Sequence, residues 1–190
     1  MKQLTARDMA QIAIVAAIYI VLTITPPLNA MAYYGYQFRV SEMMNFLAFY
    51  NKKYLIAVTL GCMIANLFSF GWIDVFVGGG STFVFLGLGL ILFGRFKNKF
   101  LFDGLIRFDH FLFAIFFSIS MFTIALELYY LQGQPFFYNW LTMGLGEFAS
   151  LIFGAIVINQ LSKRIDFTKL EKWALAPFFN AKNAVNSRLN

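Results

Sequence analysis

Apolar positions along the chain fall into six runs with short polar, proline- or glycine-marked breaks between them. They cover about Met9–Thr25, Val40–Tyr50, Tyr54–Phe70, Val75–Gly94, Phe108–Leu131 and Tyr138–Leu161. None alternates apolar and polar residues as a half-buried strand would, and none shows the dyad repeat of an outer-membrane barrel, so helices are predicted throughout. Pro26-Pro27 closes the first run, because proline cannot continue a helix. A full crossing takes about 20 residues at 1.5 Å each. The second run is too short for that if it starts at Val40. Either it begins earlier, in the 33–38 stretch, or it is tilted and buried.

Composition turns these runs into membrane spans. Of the 190 residues, 60% are hydrophobic and only 13% charged, with 25 phenylalanines. Soluble domains carry about 25% charged residues. A chain of this size folded in water has no means of hiding so much apolar surface. The expectation is an all-α integral membrane protein, a bundle of six transmembrane helices over residues 1–162, with 163–190 as a cytoplasmic tail.

The charges orient the bundle. All the Lys and Arg residues except Arg39 lie before the first run, between the second and third, between the fourth and fifth, or after the sixth. The opposite breaks, about 26–38, 71–74 and 132–137, otherwise hold none. Positive residues collect on the cytoplasmic side, which predicts both termini inside. The same bias accounts for the net charge of +6 without a nucleic-acid partner. Lys2, Arg7, the first apolar run and Ala30-Met31-Ala32 also fit a signal peptide. Small residues at helix-packing intervals in that run, and the further spans after it, argue for a retained helix. One His and one Cys are too few for a multi-ligand metal site of the usual kind, and no cofactor is expected. Cys62 implies no disulfide.

Small residues four apart mark close helix packing in lipid. The first run carries Ala6, Ala10, Ala13 and Ala17; the third has Gly61 and Ala65; the sixth has Gly146, Ser150 and Gly154. Gly78-Gly79-Gly80-Ser81-Thr82 lacks the lysine of a phosphate loop. It is read as a place where backbone approaches a helix or a ligand closely.

Ionisable residues inside a membrane are costly and mark function by default. Arg39 and Glu42 open the second run, Asn66 lies late in the third, Asp74 opens the fourth, Glu127 is late in the fifth and Glu147 early in the sixth. With the N-terminus inside, all fall in the outer half. Helical progressions extend the same faces: Ser120, Thr123, Glu127 and Tyr130; Thr59, Cys62, Asn66 and Ser69; Trp140, Gly144 and Glu147. They predict one polar pocket open to the outside. Arg39 and Glu42 are read either as a mutual pair or as ligand contacts, Asp74 as an N-cap or a contact, and Asn66 as an interhelical bond or a contact. Four acids against one arginine leave the pocket negative. Tyr33, Tyr34, Tyr36, Trp72, Tyr130 and Trp140 supply rings for stacking. The ligand these features describe is small and planar, and is either cationic or rich in N–H donors.

The motif Pro26-Pro27-Leu28-Asn29-Ala30, followed by Gln37-Phe38-Arg39-Val40-Ser41-Glu42, resembles the QueT family of membrane substrate-binding subunits (S components) of energy-coupling-factor (ECF) transporters. The likeness continues through Asn51-Lys52-Lys53-Tyr54, Gly61-Cys62-Met63-Ile64-Ala65-Asn66 and Asp74. It resumes at Leu126-Glu127-Leu128 and Gly146-Glu147-Phe148. The resemblance implies uptake of queuosine precursors, an aminomethyl-deazaguanine or queuine, at a site near the outer surface. It implies docking through alanines of the first helix, Ala13 and Ala17 with Ala10 alongside, onto a transmembrane coupling subunit served by two ABC-type ATPases. It also implies a bacterial plasma membrane. Glu127 and Glu147 become the main acceptors for the ligand, with Arg39, Glu42, Asn66 and Asp74, and the rings of Trp140 and Tyr130, in support. The chain has no ATP-binding loop of its own. The alternatives are an S component for another vitamin or nucleobase-like compound and a stand-alone proton-coupled carrier; the carrier would be expected to show inverted repeats, and none is seen. An enzyme would need a catalytic constellation, and His110 stands alone.

Overall fold

The computed structural model describes residues 5–33, 37–68, 71–165 and 167. Helices run over α1 (Ala6–Ile24), α2 (Leu28–Tyr33), α3 (Lys53–Asn66), α4 (Trp72–Phe93), α5 (Phe108–Ile119), α6 (Phe122–Gln132) and α7 (Phe136–Ser162). A 3₁₀ helix covers Val40–Phe49. A short antiparallel hairpin, β1 (Phe100–Leu101) with β2 (Ile106–Arg107), links α4 to α5. Among the described residues, four stretches are long and apolar enough to cross a membrane: Ala6–Ile24, Trp72–Phe96, Phe108–Gln132 and Phe136–Ser162. They bury one face on the bundle and leave large apolar side chains such as Val21, Phe76, Ile91 and Leu145 exposed on the other. That is the signature of helices solvated by lipid rather than water.

Contacts fix the direction of each element. Thr5 caps α1 in a reciprocal box with Asp8, which satisfies two of the free N–H groups at the helix start. Asp8 also accepts from Lys53 Nζ at 2.7 Å, joining the starts of α1 and α3. Further along, Tyr19 packs where a Cβ on Gly61 would lie 2.9 Å from its own Cβ. α1 and α3 are therefore parallel, and the 3₁₀ helix returns between them. α4 runs back along α3, with Thr82 Oγ1 donating to Cys62 Sγ at 3.4 Å. α5 and α6 run against α4, joined by the 2.9 Å bond from Ser81 Oγ to Thr123 Oγ1. α7 returns to place Asn159 Nδ2 on the carbonyls of Gly104 and Leu105, both at 2.8 Å.

Two expectations change in kind. The second apolar run does not start earlier among the residues described: 37–39 are non-helical, and 34–36 lie outside them. Instead Val40–Phe49 is 3₁₀ and mostly buried. At about 2.0 Å per residue its ten residues span about 20 Å, against about 15 Å for an α-helix of that length. The fifth run is two helices, broken at Ser120–Met121. There Ser118 Oγ donates to the Ala114 carbonyl (2.5 Å) and Ser120 Oγ to that of Phe117 (2.6 Å). Serine hydroxyls bonded back to the preceding turn bend helices in this way.

At the end of the bundle that carries the hairpin, Arg107 is no solvated loop charge. It is buried and bonds Asp109 through Nε (3.0 Å) and Nη2 (2.5 Å). Burial works against the charged guanidinium, but the Asp109 carboxylate outweighs it and raises the Arg107 pKa. His110 is buried against the rings of Phe46, Phe49 and Tyr50. Of the tail from 163, Lys163–Ile165 and Phe167 are described, and Phe167 packs on Tyr50. The other tail residues lie outside the described part.

Candidate functional site

The site begins where α1, the 3₁₀ helix and α7 meet. With three residues per turn, the 3₁₀ helix stacks Glu42 and Asn45 in one column below Arg39, its N-cap. Glu42 is clamped: Tyr19 Oη donates to Oε1 and Asn45 Nδ2 to Oε2, both at 2.5 Å. Thr23 Oγ1 donates to Ser41 Oγ at 2.7 Å. From α7, the Ser150 hydroxyl donates to the Arg39 carbonyl. One turn on, Gly154 faces the 3₁₀ backbone so closely that a Cβ would sit 2.6 Å from Met43 Cα. Arg39 Nε donates to the Ala32 carbonyl at 3.5 Å. The guanidinium lies within electrostatic reach of Glu42, Asp74 and Glu147.

The opposite wall comes from α3, α4 and α6. The glycine run lets α4 lie against α3: a Cβ on Gly78 would lie 2.2 Å from Asn66 Nδ2 and 3.2 Å from Asp74 Oδ1, and one on Gly79 would strike Met63. The close approach is thus to a helix. Asn66 Nδ2 donates to the Asp74 carbonyl (3.2 Å) and contacts Cys62 Sγ (3.6 Å). Asp74 is buried in the first turn of α4, whose N-cap is Gly71 at φ 84°, so the N-cap reading of Asp74 does not hold.

Between the walls lies a small cavity of about 20 Å³ lined by Gln37, Arg39, Glu42, Cys62, Gly78, Ser81, Thr82, Phe117, Met121, Ile124 and Glu147. That is room for about one water molecule. Glu147 Oε1, in its lining, has no hydrogen-bond partner, and neither do the buried Asn66 Oδ1 and both carboxylate oxygens of Glu127 outside it. Unpaired buried acceptors cost about 1–3 kcal/mol each, so a cluster of them marks a place kept for something else.

Two aromatic candidates sit elsewhere. Tyr130, in the last turn of α6, is 78% exposed. Trp140 donates Nε1 to the Ile119 carbonyl at 3.0 Å and lines an apolar groove of about 330 Å³ between α5 and α7. Trp72 is exposed. Tyr34, Tyr36 and Ser69 lie outside the described residues, as does the side chain of Tyr33. On α1, Ala13 and Ala17 face outward and Ala10 is half-buried, while Ile12, Val15, Ala16 and Tyr19 face the bundle. Among the described residues no group of three or more His, Cys, Asp or Glu side chains gathers as a metal site.

Sequence reasoning assigned no binding role to the side chains of Tyr19, Gln37, Ser41, Asn45, Thr82 and Ser150. Two of them carried a signal: Asn45 follows Glu42, and Ser150 follows Glu147, by one helical turn.

Comparison with known proteins points to one family. The family model for the QueT transporter matches residues 9–163. A curated relative from Lactococcus lactis subsp. cremoris strain MG1363, named "Queuosine precursor transporter QueT", is 57% identical over 169 residues, which is 89% of this chain and all of the relative. No solved structure matches. A match over most of the chain, together with a multi-pass bundle of apolar helices around buried acids, places this protein in the QueT transporter family.

Proposed function

We propose that the chain is the substrate-capture subunit, the S component, of an ECF-type importer for queuosine precursors in a bacterial plasma membrane. It crosses the membrane six times with both termini inside: α1, the 3₁₀ helix, α3, α4, α5–α6 and α7. The alternating directions of these elements and the one-sided basic residues support that count and orientation. The single observation that carries the substrate reading is the group of unpartnered acceptors: Glu147, within reach of the Arg39 guanidinium, and Glu127 and Asn66 beyond it. A deazaguanine offers two adjacent N–H donors at its ring edge, which one carboxylate accepts as a pair. Glu147 receives that edge. Arg39, a donor, complements the ring carbonyl. Glu42 and Asp74 balance the Arg39 charge. The cavity is smaller than a bicyclic ring, so entry requires the side chains around it, Phe117 and Met121 among them, to give way.

The chain carries no ATP-binding loop, so energy comes from separate ABC-type ATPases through a transmembrane coupling subunit. The outward face of α1, with Ala13, Ala17 and Ala10, is smooth enough for a helix of that subunit to approach closely.

Titration of the purified protein with an aminomethyl-deazaguanine, queuine, guanine and several vitamins, read by calorimetry or Trp fluorescence, tests the ligand. Saturable binding of a deazaguanine is expected. Binding of a vitamin with no response to deazaguanines overturns the substrate. Ala13→Trp and Ala17→Trp test the docking face: uptake is lost in cells while ligand affinity is retained. Loss of binding, or persistence of uptake, refutes that surface.

A further inference from the structure

The unpartnered acceptors do not form one uniform set. Glu147 lines the cavity together with Arg39. Glu127 does not line it, and its place follows from the bond between Ser81 and Thr123. α4 and α6 are antiparallel there, so one turn back from Ser81 and one turn on from Thr123 reach the same level. Those positions are Gly78 and Glu127. The side chains against Gly78 are Asn66 and Asp74. Asn66 has spent its Nδ2 on the Asp74 carbonyl and Cys62, which leaves its fully buried Oδ1 without a partner. Glu127 is 7% exposed, with neither oxygen bonded. The charged group acting on Glu127 is Asp74, another acid, whereas Arg39 acts on Glu42, Asp74 and Glu147. One end of the site therefore combines a carboxylate with a guanidinium, and the other offers acceptors alone.

We infer that the site has two poles, and that Glu127 with Asn66 Oδ1 forms an ammonium-binding pole that selects a ligand carrying a cationic amine. This rests on the reading of the ligand as a deazaguanine. A protonated amine has only donors and a positive charge, which matches a group of acceptors that includes a carboxyl. The ring edge goes to Glu147 and Arg39, and the aminomethyl arm to Glu127. A ligand with the same ring and a neutral nitrile in place of the amine meets the first pole and gains nothing from the second.

The test is a titration of wild type and Glu127→Gln with the aminomethyl-deazaguanine and with the cyano-deazaguanine. Wild type is expected to bind the cationic ligand about tenfold or more tighter, the range of one or two charge-assisted hydrogen bonds. Glu127→Gln is expected to lose that preference by weakening the cationic ligand alone. Glu127→Asp, which keeps the charge, retains a reduced preference and serves if the Gln variant does not fold. A wild-type protein that does not discriminate overturns the proposal, as does a Glu127→Gln that weakens both ligands equally. Sodium-dependent binding of both ligands that vanishes in Glu127→Gln assigns the pole to an inorganic cation and overturns it too. Wild type that binds neither deazaguanine fails at the ligand reading itself.

Discussion

Glu42 and Glu147 are both buried in the bundle, both within reach of Arg39, and differently employed. Glu42 has its two oxygens filled by Tyr19 and Asn45. Glu147 keeps Oε1 free of any protein donor. The first carboxylate ties α1 to the 3₁₀ helix and behaves as part of the frame. The second is a held acceptor. Burial and charge alone do not distinguish a structural acid from a binding one; the distinction lies in whether the protein supplies the donors. By that criterion Glu127 belongs with Glu147, and Asn66 is divided, its nitrogen structural and its oxygen available.

The strongest way to break this contrast is Glu42→Ala. It strands the Tyr19 hydroxyl and the Asn45 amide, and a buried polar group left unpaired costs about 1–3 kcal/mol. Two such losses amount to about 2–6 kcal/mol by the same measure. A clearly lowered thermal midpoint in detergent without ligand is expected. An unchanged midpoint would mean that the clamp contributes nothing and that Glu42 is free for the ligand.

Much of the fold was legible, and the reasons it was not fully so are physical. Apolar runs marked α1, α3, α4, the α5–α6 pair and α7 to within a few residues, because lipid demands long uninterrupted helices. Hydropathy is blind to backbone dihedrals, so the 3₁₀ form of Val40–Phe49 was hidden. Its setting is tertiary: Gly154 admits the Met43 backbone and Ser150 takes the Arg39 carbonyl. The break at Ser120 was equally silent, since Ser118 and Ser120 read as polar positions on a continuous face. Charged site residues stood out because charge in a membrane is costly. Asn45, Ser41 and Thr82 did not, since amides and hydroxyls are tolerated in helix packing. Periodicity gave the face of Tyr130 but not its depth: it lies in the last turn of α6, past the packed part of the bundle.

The smaller effect on the fold, and the sharper test of the contrast, is Glu147→Gln. The substitution keeps the shape and one acceptor while replacing the carboxyl whose Oε1 the protein leaves unbonded, and Arg39 retains Glu42 and Asp74. Without ligand, stability is expected to stay within about 1 kcal/mol of wild type, as for a site residue whose optimum for binding is not the optimum for folding. With ligand, the loss of a charge-assisted pair of N–H bonds predicts affinity weaker by about 10- to 100-fold. The stabilisation that ligand gives to the thermal midpoint should shrink with it. Glu42→Ala and Glu147→Gln thus have opposite profiles, one read without ligand and one with it. A Glu147→Gln protein destabilised as much as Glu42→Ala would move Glu147 into the frame and leave the ring edge of the ligand without its acceptor.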